Sequence, residues 1–110
     1  MHRDHVPSIP PKFQLLGSTE KSPVQGMVLP NASATEITSL SDIHILCVQG
    51  HPEFTADIVL KLVDTREASG VFDGSTARDA RHRAGLEHDG IEVIGKVIWK
   101  LFGLSFSPSV

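Results

Sequence analysis

The stretch at residues 43–55, with the sequence IHILCVQGHPEFT, gives the clearest indication of the fold. Its first six residues, Ile43–Val48, are almost continuously apolar, which is typical of a short strand covered on both faces in a parallel or mixed sheet. Gly50 ends that strand, and Thr55 is a suitable N-cap for a following helix. The stretch therefore predicts a buried strand, a short loop and a helix, in that order.

The sequence before this stretch predicts a β-hairpin. Phe13–Thr19 and Val24–Leu29 have strand-like patterns, and the Glu20–Pro23 turn between them suits an antiparallel connection. Residues 31–42 are rich in Ser, Thr, Ala and Asn, and they are predicted to form a loop, with a short strand at residues 36–40 as the alternative. Because these strands are few, the apolar Ile43–Val48 strand is expected to need further neighbours.

Three helices are predicted after residue 55. Ala56–Ala68 carries an apolar stripe, and Thr76–Glu87 is a mostly polar helix that Asp73 or Ser75 can cap. The last helix, Ile91–Phe102, carries apolar residues at helical spacing. Its predicted buried stripe consists of Ile91, Ile94, Val97, Ile98, Leu101 and Phe102.

The composition is that of one small globular domain. The chain has 110 residues and a net charge of −3, so it offers no basic surface for nucleic acid or for a membrane. No apolar run approaches the roughly 20 residues that span a bilayer. With Cys47 as its single cysteine, the chain cannot form an internal disulfide, which fits a reducing compartment. We therefore predict a cytoplasmic location.

The residues that can carry chemistry are His51 and Glu53. They place an imidazole and a carboxylate two residues apart, directly after a predicted buried strand. Catalytic groups of open α/β sheets gather at the carboxyl ends of such strands. An imidazole beside a carboxylate can act as the base and the orienting group of a nucleophilic triad. The alternative is an incidental His-x-Glu pair in a surface loop.

The segment Gln-Gly-His-Pro-Glu-Phe at residues 49–54 resembles the His-Pro-Glu signature of class I (triad) glutamine amidotransferases. The upstream sequence strengthens the resemblance: residues 1–6 (MHRDHV), Pro10, Phe13 and residues 18–20 (STE) match the pattern that precedes the signature. The most similar members are of the GMP synthase type or are stand-alone amidotransferase-like proteins. The resemblance implies an α/β fold for residues 1–110, as the C-terminal portion of the flavodoxin-like amidotransferase domain, with mixed strands followed by three helices.

The resemblance also implies a mechanism. A cysteine thiolate attacks the side-chain amide of glutamine, His51 acts as general base and then as acid, and Glu53 orients His51. His2 and Asp4 match a loop near the family's site and are weak candidates for substrate binding. No cofactor and no metal are implied. The substrate would be glutamine or a γ-glutamyl compound, and the ammonia acceptor or synthase partner is not identified.

The nucleophile that this mechanism needs has no counterpart in the sequence. The family carries it in a G-x-C-x-G-x-Q elbow, which is absent here. Cys47 lies inside the predicted strand, and four extended residues separate it from His51 by roughly 13 Å, so it is predicted to be a core residue. We therefore expect a C-terminal fragment, with Met1 as an internal methionine, that is inactive alone. Two alternatives stay open: a γ-glutamyl peptidase of the same fold, and a non-catalytic pseudoenzyme or interaction module.

A metal site is the remaining chemical possibility that the sequence raises. His2, Asp4 and His5 lie close together at the start of the chain, and His82 and His88 follow later. Neither group has the spacing of a helical metalloprotease site, and no cysteine ligands accompany them. No metal is therefore predicted.

Overall fold

A computed structural model describes residues 4–103 of the chain. The described part is a mixed α/β structure with a three-stranded antiparallel sheet and three α-helices, compatible with a partial flavodoxin-like fold. The chain divides into two compact units. Among the described residues, one unit contains residues 4–51 and 95–103, and the other is Pro52–Ile94.

The first unit is built on a sheet with the strand order β1-β2-β3. The strands are β1 (Gln14–Gly17), β2 (Gly26–Pro30) and β3 (Ile43–Val48), and both pairings are antiparallel. The predicted hairpin is confirmed, with shorter strands than the sequence indicated. Its register shifts between Leu15 and Gly17.

Strand β3 has the predicted bounds, but the prediction that it is buried in a mixed sheet is wrong. None of its six residues is buried, and Ile45 and Val48 are 37% and 36% exposed. Within residues 4–103, β3 pairs with β2 alone, so that its other edge has no strand partner in this part of the chain. Burial on both faces depends on neighbouring elements, and the apolar sequence alone does not supply them.

The connection between β2 and β3 is held by Asp42. The alternative strand at residues 36–40 is not formed, and the connection ends instead in a 3₁₀ turn, Leu40–Asp42. One carboxylate oxygen of Asp42, Oδ2, accepts hydrogen bonds from the backbone N–H groups of Thr38 and Ser39 at 2.9 and 2.7 Å. These bonds, first that from Thr38, lower the pKa of Asp42. Asn31 N–H donates to the Asp42 carbonyl at 2.7 Å, which fixes the point where β3 begins.

The last helical segment is less regular and less buried than predicted. It begins with a π-helical turn, Ile91–Gly95, and continues as α3 (Lys96–Leu101). Helix α3 contacts the Leu40–Asp42 turn of the first unit. The predicted buried stripe is wrong: Phe102 is 74% exposed, and no residue of either part is fully buried. Helical spacing indicates which residues share a face, but burial needs a packing partner along its whole length.

The second unit is an α-helical pair with the caps that the sequence predicts. Helix α1 (Ala56–Ala68) begins at Thr55, whose side chain accepts a hydrogen bond from Ile58 N–H at 3.4 Å. Helix α2 (Gly74–Ala84) begins at Asp73, whose carboxylate accepts from Thr76 N–H at 2.7 Å. Helix α2 ends at Ala84, earlier than predicted. No helix within residues 4–103 has the length and apolar character that crossing a bilayer would require.

Helices α1 and α2 meet through a small core and a charged clamp. Val63 and Ala77 are fully buried and Ala80 nearly so, with Val59 and Phe72 packed against them. At the rim of this core, Arg81 Nη2 of α2 lies 2.6 Å from Asp64 Oδ1 and 2.5 Å from Glu67 Oε2 of α1. The hydrogen bonds that Arg81 donates, first to Asp64 and then to Glu67, raise the pKa of Arg81.

We expect Val63→Ala to destabilise the Pro52–Ile94 unit by about 2 kcal/mol, because it removes two fully buried methyl groups and leaves a cavity. Thermal and urea unfolding of the 110-residue chain would measure the loss. The matched control is Val93→Ala, at a position that is 49% exposed, which should change the free energy of unfolding by less than about 0.5 kcal/mol. Equal losses in the two variants would contradict this account of the core.

The Asp73 cap predicts a dependence of stability on pH. The hydrogen bond from the Ser75 hydroxyl and then that from Thr76 N–H lower the pKa of Asp73 from 3.8 to about 2. A depressed pKa stabilises the folded state above pH 3.8, and this contribution is lost as the pH falls towards about 2. Asp73→Asn keeps a capping side chain but does not titrate.

The melting temperature of the wild type should therefore exceed that of Asp73→Asn by a constant margin above about pH 5, and the margin should close between about pH 4 and pH 2. Comparing the two proteins at each pH removes the contributions of the other carboxylates. A margin that did not change across this range would contradict the assigned role of the carboxylate.

Candidate active site

The segment that joins β3 to α1 has the predicted order of strand, loop and helix. The last backbone hydrogen bond of the β3 side runs from Gln49 N–H to the carbonyl of Gln25, at 2.9 Å. The chain leaves the sheet at Gly50, and α1 begins after Thr55. The residues between these two points contain the whole His-Pro-Glu signature.

His51 and Glu53 are both exposed, and each belongs to a different compact unit. His51 is the last residue of the first unit before the boundary, three residues beyond the end of β3. Glu53 lies at the beginning of the second unit, two residues before the N-cap of α1. Both side chains therefore project from a loop that is anchored by a strand on one side and by a capped helix on the other. Their catalytic pairing stays a prediction.

Cys47 occupies a position in the sheet and not a position beside the imidazole. It lies within β3, opposite Met27 of β2, and is partly buried, which is less than the core location that the sequence predicted. An extended strand advances about 3.3 Å per residue, so the backbone carries this thiol away from the loop that holds His51. That Cys47 is not a nucleophile activated by His51 stays a prediction.

The structure describes one of the two weak candidates for substrate binding. Asp4 is described and exposed, whereas His2 lies outside the described residues. Nothing in the fold of residues 4–103 tests a role in substrate binding for either, so both stay predictions.

The other polar groups of the second unit form no metal centre. Within the described range, no three His, Cys, Asp or Glu side chains come together as metal ligands would. A wide-open depression of about 550 Å³ is lined by Glu87, His88 and Asp89. The residues that line it immediately precede Gly90 in the chain. Gly90 makes a contact with the His-Pro-Glu loop that sequence reasoning missed.

Gly90 packs directly against the backbone of Pro52. A β-carbon placed on Gly90 would lie 2.8 Å from the Pro52 carbonyl oxygen, 3.1 Å from its Cα and 3.3 Å from its Cβ. The sequence indicated Gly90 only as a break between two helices. A contact between residues 38 positions apart leaves no local pattern, and the glycine itself was the only signal that could have indicated it.

Comparison with known proteins identifies two curated relatives. Gamma-glutamyl peptidase 2 of Arabidopsis thaliana is 36% identical over 63 residues, which is 57% of this chain and 21% of that protein. A glutamine amidotransferase-like protein of Schizosaccharomyces pombe is 31% identical over 84 residues, which is 76% of this chain and 29% of that protein. These relatives support a class I glutamine amidotransferase-like family.

The extent of these matches limits what the family implies. The chain spans between about a fifth and three tenths of the length of the two curated relatives. No family model matches the chain, and no solved structure matches it. For this chain, the activity, substrates and partners of a complete amidotransferase-like protein are therefore proposals.

Proposed function

We propose that this chain is the His-Glu portion of a glutamine amidotransferase-like hydrolase, in which His51 is the general base and Glu53 orients it. The observation that carries the proposal is the position of the His-Pro-Glu segment, directly between strand β3 and the capped helix α1. The names of the two relatives support hydrolysis or transfer at a γ-glutamyl group as the reaction class. Glutamine or a γ-glutamyl compound is therefore the proposed substrate.

The proposed reaction has two steps, and His51 moves the proton in each. In the first, His51 takes the proton of a cysteine thiol, the thiolate attacks the γ-carbonyl carbon, and the C–N bond breaks as His51 protonates the leaving nitrogen. In the second, His51 removes a proton from water, which attacks the thioester, releases glutamate and returns the thiol. The Glu53 carboxylate stabilises the imidazolium that forms in each step.

The thiol in this scheme is proposed to come from polypeptide outside residues 1–110. Cys47 lies in strand β3 and is partly buried, so it does not meet the need for a nucleophile within hydrogen-bond reach of the base. Loss of a triad nucleophile removes most of the rate enhancement, by roughly 10⁶-fold in a well-studied protease. The 110-residue chain alone is accordingly proposed to be a C-terminal fragment with negligible glutaminase activity.

The relatives favour two candidate activities within this scheme. The Arabidopsis match favours a γ-glutamyl peptidase, and the fission-yeast match favours an amidotransferase-like protein of the stand-alone kind. The GMP synthase type and the cytoplasmic location stay predictions from the sequence. The two candidate activities share the chemistry at the γ-carbonyl and differ in the leaving group, which is an amino acid or peptide in one case and ammonia in the other.

A chimera tests the catalytic roles. This chain would replace the segment of the Arabidopsis peptidase that it matches, while the rest of that protein supplies the proposed thiol. We expect His51→Ala to lower kcat by ~10⁴-fold or more, and Glu53→Gln to lower it by a smaller factor, because the orienting group contributes less than the base.

The matched control for these variants is His44→Ala, which removes an exposed imidazole of the same strand–loop region. It should leave kcat within about twofold of the parent chimera, because surface substitutions away from special features have small effects. A folded, active chimera in which His51→Ala and His44→Ala behaved alike would contradict the proposal.

The same chimera distinguishes the two substrates. We expect it to release the amino acid from a γ-glutamyl dipeptide and ammonia from glutamine, with kcat/KM values that report the preference. Because this chain contributes the base and its orienting group, His51→Ala should lower both rates by the same factor. A loss confined to one substrate would show that His51 acts in binding a leaving group and not in the shared chemical steps.

A further inference from the structure

The contact between Gly90 and Pro52 is too close for any side chain at position 90. A β-carbon there would meet the Pro52 carbonyl oxygen at 2.8 Å and the Pro52 Cα at 3.1 Å. Both are backbone atoms, which cannot rotate aside as the end of a flexible side chain can. The described glycines with positive φ are Gly70 and Gly103, so the φ angle of Gly90 does not explain its identity. Gly90 is distinguished instead by the close approach of the Pro52 backbone, which leaves no room for a β-carbon.

The atom that Gly90 approaches belongs to the peptide bond that carries Glu53. The Pro52 carbonyl carbon is joined to the Glu53 nitrogen in one planar peptide unit. The ring of Pro52 fixes the φ angle of Pro52 itself. A displacement of this carbonyl therefore turns the whole peptide plane and moves the Glu53 Cα with it. Both residues lie in the Pro52–Ile94 unit.

Both sides of this contact are anchored. On the Glu53 side, Thr55 caps α1 two residues further along the chain and holds the start of the helix. On the Gly90 side, Val93 N–H donates to the carbonyl of Asp89 at 2.8 Å and closes the turn around Gly90. These bonds limit how far either partner can move to relieve a clash.

We infer that Gly90 is a positioning residue for Glu53: its missing side chain sets the plane of the Pro52–Glu53 peptide and hence the place from which the Glu53 carboxylate projects. The inference rests on the proposed function for its catalytic meaning. Gly90 touches neither substrate nor the reacting atoms in this scheme and acts only through Pro52.

Nuclear magnetic resonance of the 110-residue chain tests the inference without any activity. In Gly90→Ala, the Glu53 amide resonances and the midpoint of the Glu53 carboxyl titration should shift from their wild-type values. Resonances in the second half of α1 should stay unchanged, since Thr55 and the Val63 core anchor that helix.

Two glycines provide matched controls. A β-carbon on Gly50 would meet nothing within 4 Å, although Gly50 is closer in sequence to Glu53 than Gly90 is. A β-carbon on Gly85 would lie 3.7 Å from the His82 carbonyl oxygen, an ordinary contact. Gly50→Ala and Gly85→Ala should therefore leave the Glu53 titration unchanged.

Pro52→Ala is the second variant, and it leaves Gly90 in place. It releases the φ angle that Pro52 fixes and should also shift the Glu53 resonances, with a smaller effect on folding than Gly90→Ala. The inference is overturned if Gly90→Ala and Gly85→Ala give the same Glu53 titration, or if Pro52→Ala leaves Glu53 unaffected. Failure of Gly90→Ala to fold would also overturn it, because Gly90 would then serve the fold and not the position of Glu53.

The chimera separates this inference from the proposed function. Gly90→Ala should lower kcat by ~10-fold to 10²-fold and leave KM within about twofold, because a displaced orienting group weakens catalysis without removing a substrate contact. If His51→Ala had no effect in the chimera, the proposed function would fail while the Glu53 shifts of Gly90→Ala still stood. If His51→Ala abolished activity but Gly90→Ala did not lower kcat, the inference alone would fail.

Discussion

The antiparallel pairing of β2 with β3 sets the geometry of the first unit. It begins where Asn31 donates to the Asp42 carbonyl, and it ends where Gln49 donates to Gln25. The register is regular from Gly26 opposite Val48 to Leu29 opposite Ile45, which places Cys47 opposite Met27, and it shifts between Leu29 and Pro30. A slip of one residue would move every side chain of β3 to the other face of the sheet. The pairing therefore determines both that Cys47 lies within the sheet and that the loop containing His51 begins at Gly50.

The second unit fixes the other half of the candidate site by different means. Its core is small, because the buried residues are Val63, Ala77 and Ala80, with only the partly buried Val59 and Phe72 packed against them. The ion pairs of Arg81 with Asp64 and Glu67 add a contact at the rim, where solvent weakens their contribution. The Thr55 cap sets where α1 begins, and Glu53 lies two residues before this cap. Glu53 thus lies between the Thr55 cap on one side and the close contact of Pro52 with Gly90 on the other.

Local sequence predicted the elements of this fold well because each has a local cause. The bounds of β3 and α1 follow from an apolar run, a glycine and an N-cap threonine, and Asp73 caps α2 as its position indicated. Burial was predicted less well, because it depends on partners elsewhere in the chain. The apolar pattern of residues 91–102 indicated a helix correctly but did not reveal that Phe102 would be largely exposed. The site residues came from the family resemblance, and the contact of Gly90 with Pro52 joins residues too distant in sequence for any local pattern to indicate it.

The exposed apolar residues of the sheet bear on the proposal of a larger domain. Leu15 and Met27 are cross-strand partners, and Met27 is in turn opposite Cys47, so these three side chains lie on one face of the sheet. Leu15 is 51% exposed, and Leu16 on the bulge is 55% exposed.

Apolar strands with an unpaired edge promote association with other chains, and proteins usually protect such edges with charges, prolines or a covering element. β3 carries only His44 among its apolar residues, so it has little of this protection. The proposed fragment would account for an apolar sequence that is exposed here. In a complete amidotransferase-like domain, the polypeptide that supplies the thiol would also cover this face of the sheet. A stand-alone interaction module would instead need a partner protein to bury the same face.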